Sequence, residues 1–239
     1  MKKFTYILLA MISFFLNSCI ELENDLTIRD LVFSEGDPML AQAKNYNYYM
    51  DKKENILNED FLNNSRNWPI NNTSTNNYRK IENGLYKLAK TSTSSLQTNT
   101  TGNTLIPIGF NNNFEIEIRV KAYLNENEFY TAENATYTVG FSQNYSSLNF
   151  ISDVEVTVNK TNLKINTINA NSITEKINNN DSANFNLLTL RKVNNYLIVF
   201  LNGVYVKHTP ITTFNTNYFK FLTTKEAQID YIKYFILTN

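Results

Sequence analysis

Residues 114–120 read Phe-Glu-Ile-Glu-Ile-Arg-Val, an apolar side chain at every second position with Glu115, Glu117 and Arg119 between them. Successive side chains of a β-strand point to opposite faces, so this pattern makes a strand buried on one side and suits no helix. Shorter runs of the same kind occupy 136–141, 154–158 and 163–168. The clearest passage is 187–208, which reads as three strands, 187–193, 196–201 and 204–208. Asn194-Asn195 and Asn202-Gly203 join them, and both pairs tolerate the left-handed backbone of a two-residue hairpin turn. The middle strand is apolar on both faces, with Tyr196, Ile198 and Phe200 on one and Leu197, Val199 and Leu201 on the other. It therefore needs cover on both sides, one from a second sheet and one from a loop or the lead-in segment. Two more strands, 218–222 and 229–237, close the chain. About a dozen short strands between residues 58 and 239, with almost no amphipathic helix, predict an all-β fold: an antiparallel two-sheet sandwich of the jelly-roll type.

Ahead of that domain the texture differs. Lys2 and Lys3 precede an apolar run, 6–16, interrupted only by Ser13. The run is too short to span a bilayer, which takes about 20 residues, and reads as a secretory signal segment. Leu16-Asn17-Ser18-Cys19 ends it, and Cys19 is the one cysteine of the chain. This stretch resembles the lipobox of bacterial lipoproteins. The resemblance implies cleavage after residue 18, a diacylglyceryl thioether on Cys19, and a membrane partner reached through that lipid. The expected location is the outer membrane, the cell surface or a periplasmic face. The acidic patch in residues 20–25 is either a surface-export signal or a solvated tether. Residues 19–57 are expected to be tether, with one short helix over 39–50 capped by Asp37 and opened by Pro38.

Composition excludes some functions. Loss of residues 1–18 leaves 20 basic against 22 acidic side chains, so no basic field exists to collect nucleic acid. With its sulfur alkylated, Cys19 can form no disulfide, and stability must come from a packed core. Asn is used 40 times, often in breaks such as 71–72, 111–113 and 178–180, where it serves turn chemistry.

A family resemblance covers residues 58–239. Asn58-Glu-Asp-Phe61, Asn67-Trp68-Pro69 and Ile81-Glu-Asn-Gly-Leu-Tyr86 come first. Phe114-Glu-Ile-Glu-Ile, Leu188-Thr-Leu-Arg-Lys-Val193, Phe200-Leu-Asn-Gly203 and Ile229-Asp-Tyr-Ile232 follow in order. The set resembles concanavalin A-like, laminin-G-like jelly-roll domains of bacterial surface lipoproteins. That resemblance implies a two-sheet sandwich used for glycan or protein binding, a fold that hosts lectins, adhesion modules and glycanases alike. It also implies a rim position for one structural Ca²⁺. Asp60 and Asp230, in the first and last motifs, are the leading ligand candidates, with Asp153 and Asp181 behind them.

The residues themselves argue weakly for chemistry. Jelly-roll glucanases set acids at alternate positions of one strand, and Glu115 and Glu117 share a face in that way. No Asp lies between them, however, and Arg119 or Val120 stands where a third acid would fall. The expectation is a solvated charge ladder, with no catalytic residues and no enzymatic function. His208, the one histidine, reads as an exposed strand-end residue with no serine motif or second metal ligand to serve. Trp68, the one tryptophan, is the candidate for stacking on a sugar ring, but the resemblance puts it in the first-strand motif, which favours packing into the sandwich edge. The functional expectation is thus a lipid-anchored, non-catalytic module. A glycan is its first-choice partner and an envelope protein the alternative.

Overall fold

The computed structural model describes residues 38–74, 77–90, 99–104, 108–109, 111–123, 136–142, 152–168, 171–180, 184–224 and 226–238. Cys19, the acidic patch behind it and Asp181 lie outside the described residues. The chain divides after Gln42. Of the first unit only the start of a short helix, α1 (Pro38–Ala43), is described, and the second unit, Ala43–Asn239, contains both sheets. The helix is shorter than expected. Asn45 adopts extended backbone, and its side-chain oxygen accepts the Asn47 amide at 3.0 Å, capping a separate 3-10 turn, Tyr46–Tyr49. Asn bonds local backbone in competition with the helix, so the two turns do not fuse.

Fifteen strands follow among the described residues: β1 (Lys53–Glu59), β2 (Asn71–Ser74), β3 (Asn77–Glu82), β4 (Leu85–Lys90), β5 (Asn99–Thr104), β6 (Phe114–Tyr123), β7 (Tyr137–Ser142), β8 (Val154–Val158), β9 (Asn162–Thr167), β10 (Ile173–Lys176), β11 (Asn186–Val193), β12 (Tyr196–Leu201), β13 (Val204–Pro210), β14 (Tyr218–Thr223) and β15 (Glu226–Leu237). They form two antiparallel sheets. The larger runs β13-β12-β11-β6-β15-β4-β3-β2, with β1 also paired to β15; the smaller runs β10-β9-β8-β7-β14-β5. The first strand thus begins at Lys53, ahead of the domain start expected at residue 58.

β15 is long because it carries two neighbours on one edge. Glu226 to Ile229 pair with β4, and Ile232 to Leu237 pair with β1, while the other edge follows β6 throughout. Ala227 and Ile229 face the core before a bulge, and Ile232 and Tyr234 after it. Inserting Asp230 shifts the alternation by one residue and keeps both halves facing inward. Between the sheets, Ile116, Ile118, Leu190 and Val199 of the larger meet Val139, Phe141, Val156 and Phe221 of the smaller, all fully buried.

The turns follow the residues. Asn83-Gly84 and Asn202-Gly203 have positive φ at both positions (55° and 69°, 51° and 76°), and Asn194 has φ 50°. These are the left-handed conformations that two-residue hairpins take. Asn202 does more, accepting the Leu187 amide at 2.8 Å and donating to Asn179 O at 2.7 Å, so it ties its turn to the start of β11 and to the loop at Asn179.

Candidate functional site

Register places the chemistry. Residues directly opposite in neighbouring strands share a face, so pairing can be followed across the larger sheet on its outward side. One row runs Tyr205, Phe200, Thr189, Glu117 and Lys233 from β13 to β15. The next runs His208, Ile198, Arg191, Glu115 and Phe235. The outward face is therefore aromatic at its β13 edge and charged at β6 and β11.

The expected solvent-washed ladder is not there. Glu115 and Arg191 are 0% exposed and Glu117 is 8% exposed. Arg191 Nε donates to Glu115 Oε2 at 2.6 Å, and Lys53 Nζ donates to Oε1 of both Glu115 and Glu117 at 2.7 Å. Cover comes from the lead-in. Arg191 donates to the backbone oxygens of Ala43, Asn45 and Tyr46 at 2.7–2.8 Å, and the Tyr46 ring meets Phe200 edge-on at 5.4 Å. Glu115 and Glu117 alternate with core residues and so read from sequence as exposed. Their burial comes from a segment about 70 residues earlier in the chain.

This environment separates the protonation of the groups. Burial pushes the Glu117 carboxyl up, Lys53 pulls it down, and the neighbouring Glu115 charge adds to the rise, which is the net direction. Burial alone would lower the Lys53 ammonium, but Glu115 and Glu117 outweigh it and raise it. Burial, then Glu117, raises the Tyr46 hydroxyl. Both Oε1 atoms lie 2.7 Å from one ammonium, so they stand no more than twice that distance apart. The two carboxyls thus sit side by side and share the Lys53 ammonium, two acids on one face of the sheet.

The other sequence candidates are placed as follows. Trp68 is 1% exposed, packed against Phe61, Tyr86 and Phe219, with Nε1 donating to Glu59 Oε2 at 2.8 Å. A ring so enclosed cannot stack on a sugar, and the packing alternative holds. Asp60 is exposed and accepts the Leu62 amide at 3.2 Å. Asp230 sits in the β15 bulge and pairs with Arg119. β1 and β15 do pair, as a shared terminal rim requires, yet each carboxylate already has a structural partner. Among the described residues no three His, Cys, Asp or Glu side chains gather as metal ligands. Asp153 is buried and accepts from Asn215 N at 3.0 Å and Asn215 Nδ2 at 2.6 Å, bracing a loop. His208 is half-buried, not exposed, with Nδ1 2.6 Å from the Tyr205 hydroxyl. Burial, then Lys44 and Lys207, lowers its pKa to about 4, so it is neutral at physiological pH.

No protein-family model matches the sequence, and no curated protein matches it. Solved structures do match by fold. One is a human gut microbiota protein from among the endo-acting O-glycanases that initiate mucin breakdown (TM-score 0.54, 11% identity, 78% of this chain and 100% of that one). Another is the carbohydrate recognition domain of Emp47p (0.52, 11%, 79% and 99%). A third is a Bacillus licheniformis β-glucanase (0.51, 12%, 77% and 97%). The chain is thus a concanavalin A-like jelly-roll sandwich, the fold of lectin domains and endo-glucanases. The expectation of no enzymatic function is corrected by this finding. Endo-glucanases share the fold over nearly their whole length, and the glutamates discounted as a solvated ladder form a buried, closely spaced pair.

Proposed function

We propose that this chain is a glycan-directed β-sandwich, held at the outer membrane, the cell surface or a periplasmic face by lipid on Cys19. A sugar chain meets it on the outward side of the larger sheet. The observation that carries the reading is one face combining a tyrosine cluster with an acid pair. Tyr205 is 37% exposed, its ring lies 6.1 Å from His208, and Tyr196 lies 6.1 Å from the same imidazole. Flat apolar rings with polar tips suit the apolar faces and hydroxyls of a sugar. The fold neighbours, a carbohydrate recognition domain and glycan-degrading enzymes, support the choice of ligand class.

A second reading has its own observation: two neighbouring carboxyls on one face of the sheet, of which Glu117 has a raised pKa, suit the acid role of glycoside hydrolysis. Glu117 would protonate the leaving oxygen, and Glu115 would stabilise or attack the anomeric carbon.

A glycan array with the full chain tests the first reading, and release of reducing ends from laminarin tests the second. Hydrolysis abolished by Glu117→Gln, a loss on the order of 10²-fold or more, supports catalysis. Silence in both assays, with an envelope protein co-purifying, would replace the glycan by a protein partner. Cys19→Ser tests the anchor: the variant should stay unprocessed and leave the detergent phase.

A further inference from the structure

We propose that residues 43–52, hinged at Lys53, form a latch that keeps the Glu115–Glu117 pair closed and lifts off the sheet when a glycan binds. The proposal rests on the glycan reading of this face. The way the segment is attached carries it. Its own backbone hydrogen bonds are local, Tyr48 N to Asn45 O, Met50 N to Asn47 O and Lys52 N to Tyr49 O, at 3.0–3.1 Å. It is held to the sheet chiefly by side chains. Arg191 reaches its carbonyls, Tyr49 lies over that guanidinium (5.1 Å), and Lys53 spans the two glutamates. The first ladder pairing begins at Lys53 with Leu237, and Lys52 O accepts from Thr238 N at 2.8 Å, which makes that point the hinge. Residues 43–51 can therefore leave while Lys53 keeps its pairing with Leu237, as low-stability units do.

What lies beneath argues in the same direction. A permanently sealed face is served better by apolar side chains, since desolvating ions offsets most of their attraction. Here the sealed groups include two carboxylates, a guanidinium and an ammonium, beside the apolar Ile198 and Phe200. Opening returns the charged groups to water, which offsets part of the cost of uncovering Ile198 and Phe200. Closed, Glu115 offers a ligand no surface, while the tyrosine cluster at the β13 edge stays partly exposed beside Lys44 of the same segment. A sugar chain seated on that cluster and extending towards β6 would have to displace the segment.

A latch that is mostly closed lowers apparent affinity by the fraction open. Loosening it should then tighten binding. Full-length wild type, Tyr46→Ala and Lys53→Gln are titrated with laminarin, and amide exchange of residues 44–52 is followed with and without it. The latch predicts at least tenfold tighter binding in both variants, and faster exchange of these amides in wild type once laminarin is bound. The exchange measurement needs no substitution, so it decides the matter if a variant fails to fold. Equal affinity with exchange unchanged by bound laminarin overturns the latch while the glycan reading stands. Binding by none of the three overturns the glycan reading and the latch with it.

Discussion

Replacing Arg191 with Met tests whether the outward face of the larger sheet is sealed. The guanidinium is 0% exposed and donates to Glu115 and to three backbone oxygens of residues 43–46. Met keeps much of the volume but leaves the Glu115 carboxylate with Lys53 alone. Breaking a buried pair from one side costs about 3–5 kcal/mol, because a charge stays desolvated. Each carbonyl left without a donor adds about 1 kcal/mol, less where water reaches it. The single variant should therefore lose at least about 3 kcal/mol in urea unfolding. Removing both charges, Arg191→Met with Glu115→Met, eliminates the stranded anion. The double variant should then be more stable than Arg191→Met, and with Glu115→Met measured as well, the cycle should give a coupling of about 0.5–3 kcal/mol, the size neighbours in one network show. A single variant within about 1 kcal/mol of wild type would mean that water reaches this face and the sealed cluster is wrong. Strict additivity in the double variant would mean that Arg191 and Glu115 do not share a buried bond.

Three further outcomes follow from the same geometry. His208 has a pKa of about 4 in the fold against an ordinary 6.5, so between those values the unfolded chain binds a proton that the folded one does not. Stability should fall as pH drops through that window, and His208→Gln should flatten this part of the profile in melts at pH 7, 6 and 5. Glu59→Leu strands Trp68 Nε1 and the Phe61 amide, both bonded to that buried carboxylate; a loss of about 2–4 kcal/mol in urea unfolding is expected, with blue-shifted tryptophan emission if the ring stays buried. Gly203 has φ 76°, so Gly203→Val should be strongly destabilising by thermal melt, whereas Gly203→Asn should be tolerated.

The strands were legible because their alternation has one physical cause, a core on one side. β6, the β11-β12-β13 meander and its Asn turns lie where period and turn chemistry put them. The cover over Phe200 was legible too, since β12 is apolar on both faces and the lead-in supplies Tyr46. The same cover extends over Arg191 and Glu115, which sit beside Ile198 in register, but no local pattern marks a charged residue as sealed. The signal available was the pairing itself: a β12 face needing a lid implies a lid over its neighbours. Trp68 offered stacking or packing, and its place in the first-strand motif pointed to packing; the acceptor of its N–H, Glu59, lies nine residues earlier. Asp230 was hard to place because a bulge residue and a metal ligand look alike in sequence. Only the shift in alternation between Ile229 and Ile232 separates them.

The central claim, that the outward face of the larger sheet meets a sugar chain, is tested most directly by affinity electrophoresis of the full chain through gels containing laminarin or mucin glycans. The account predicts retardation by at least one of these polymers, and its loss in Tyr205→Ala, whose ring is partly exposed at the edge of that face. Unchanged mobility in every gel, or retardation that Tyr205→Ala leaves intact, would contradict it.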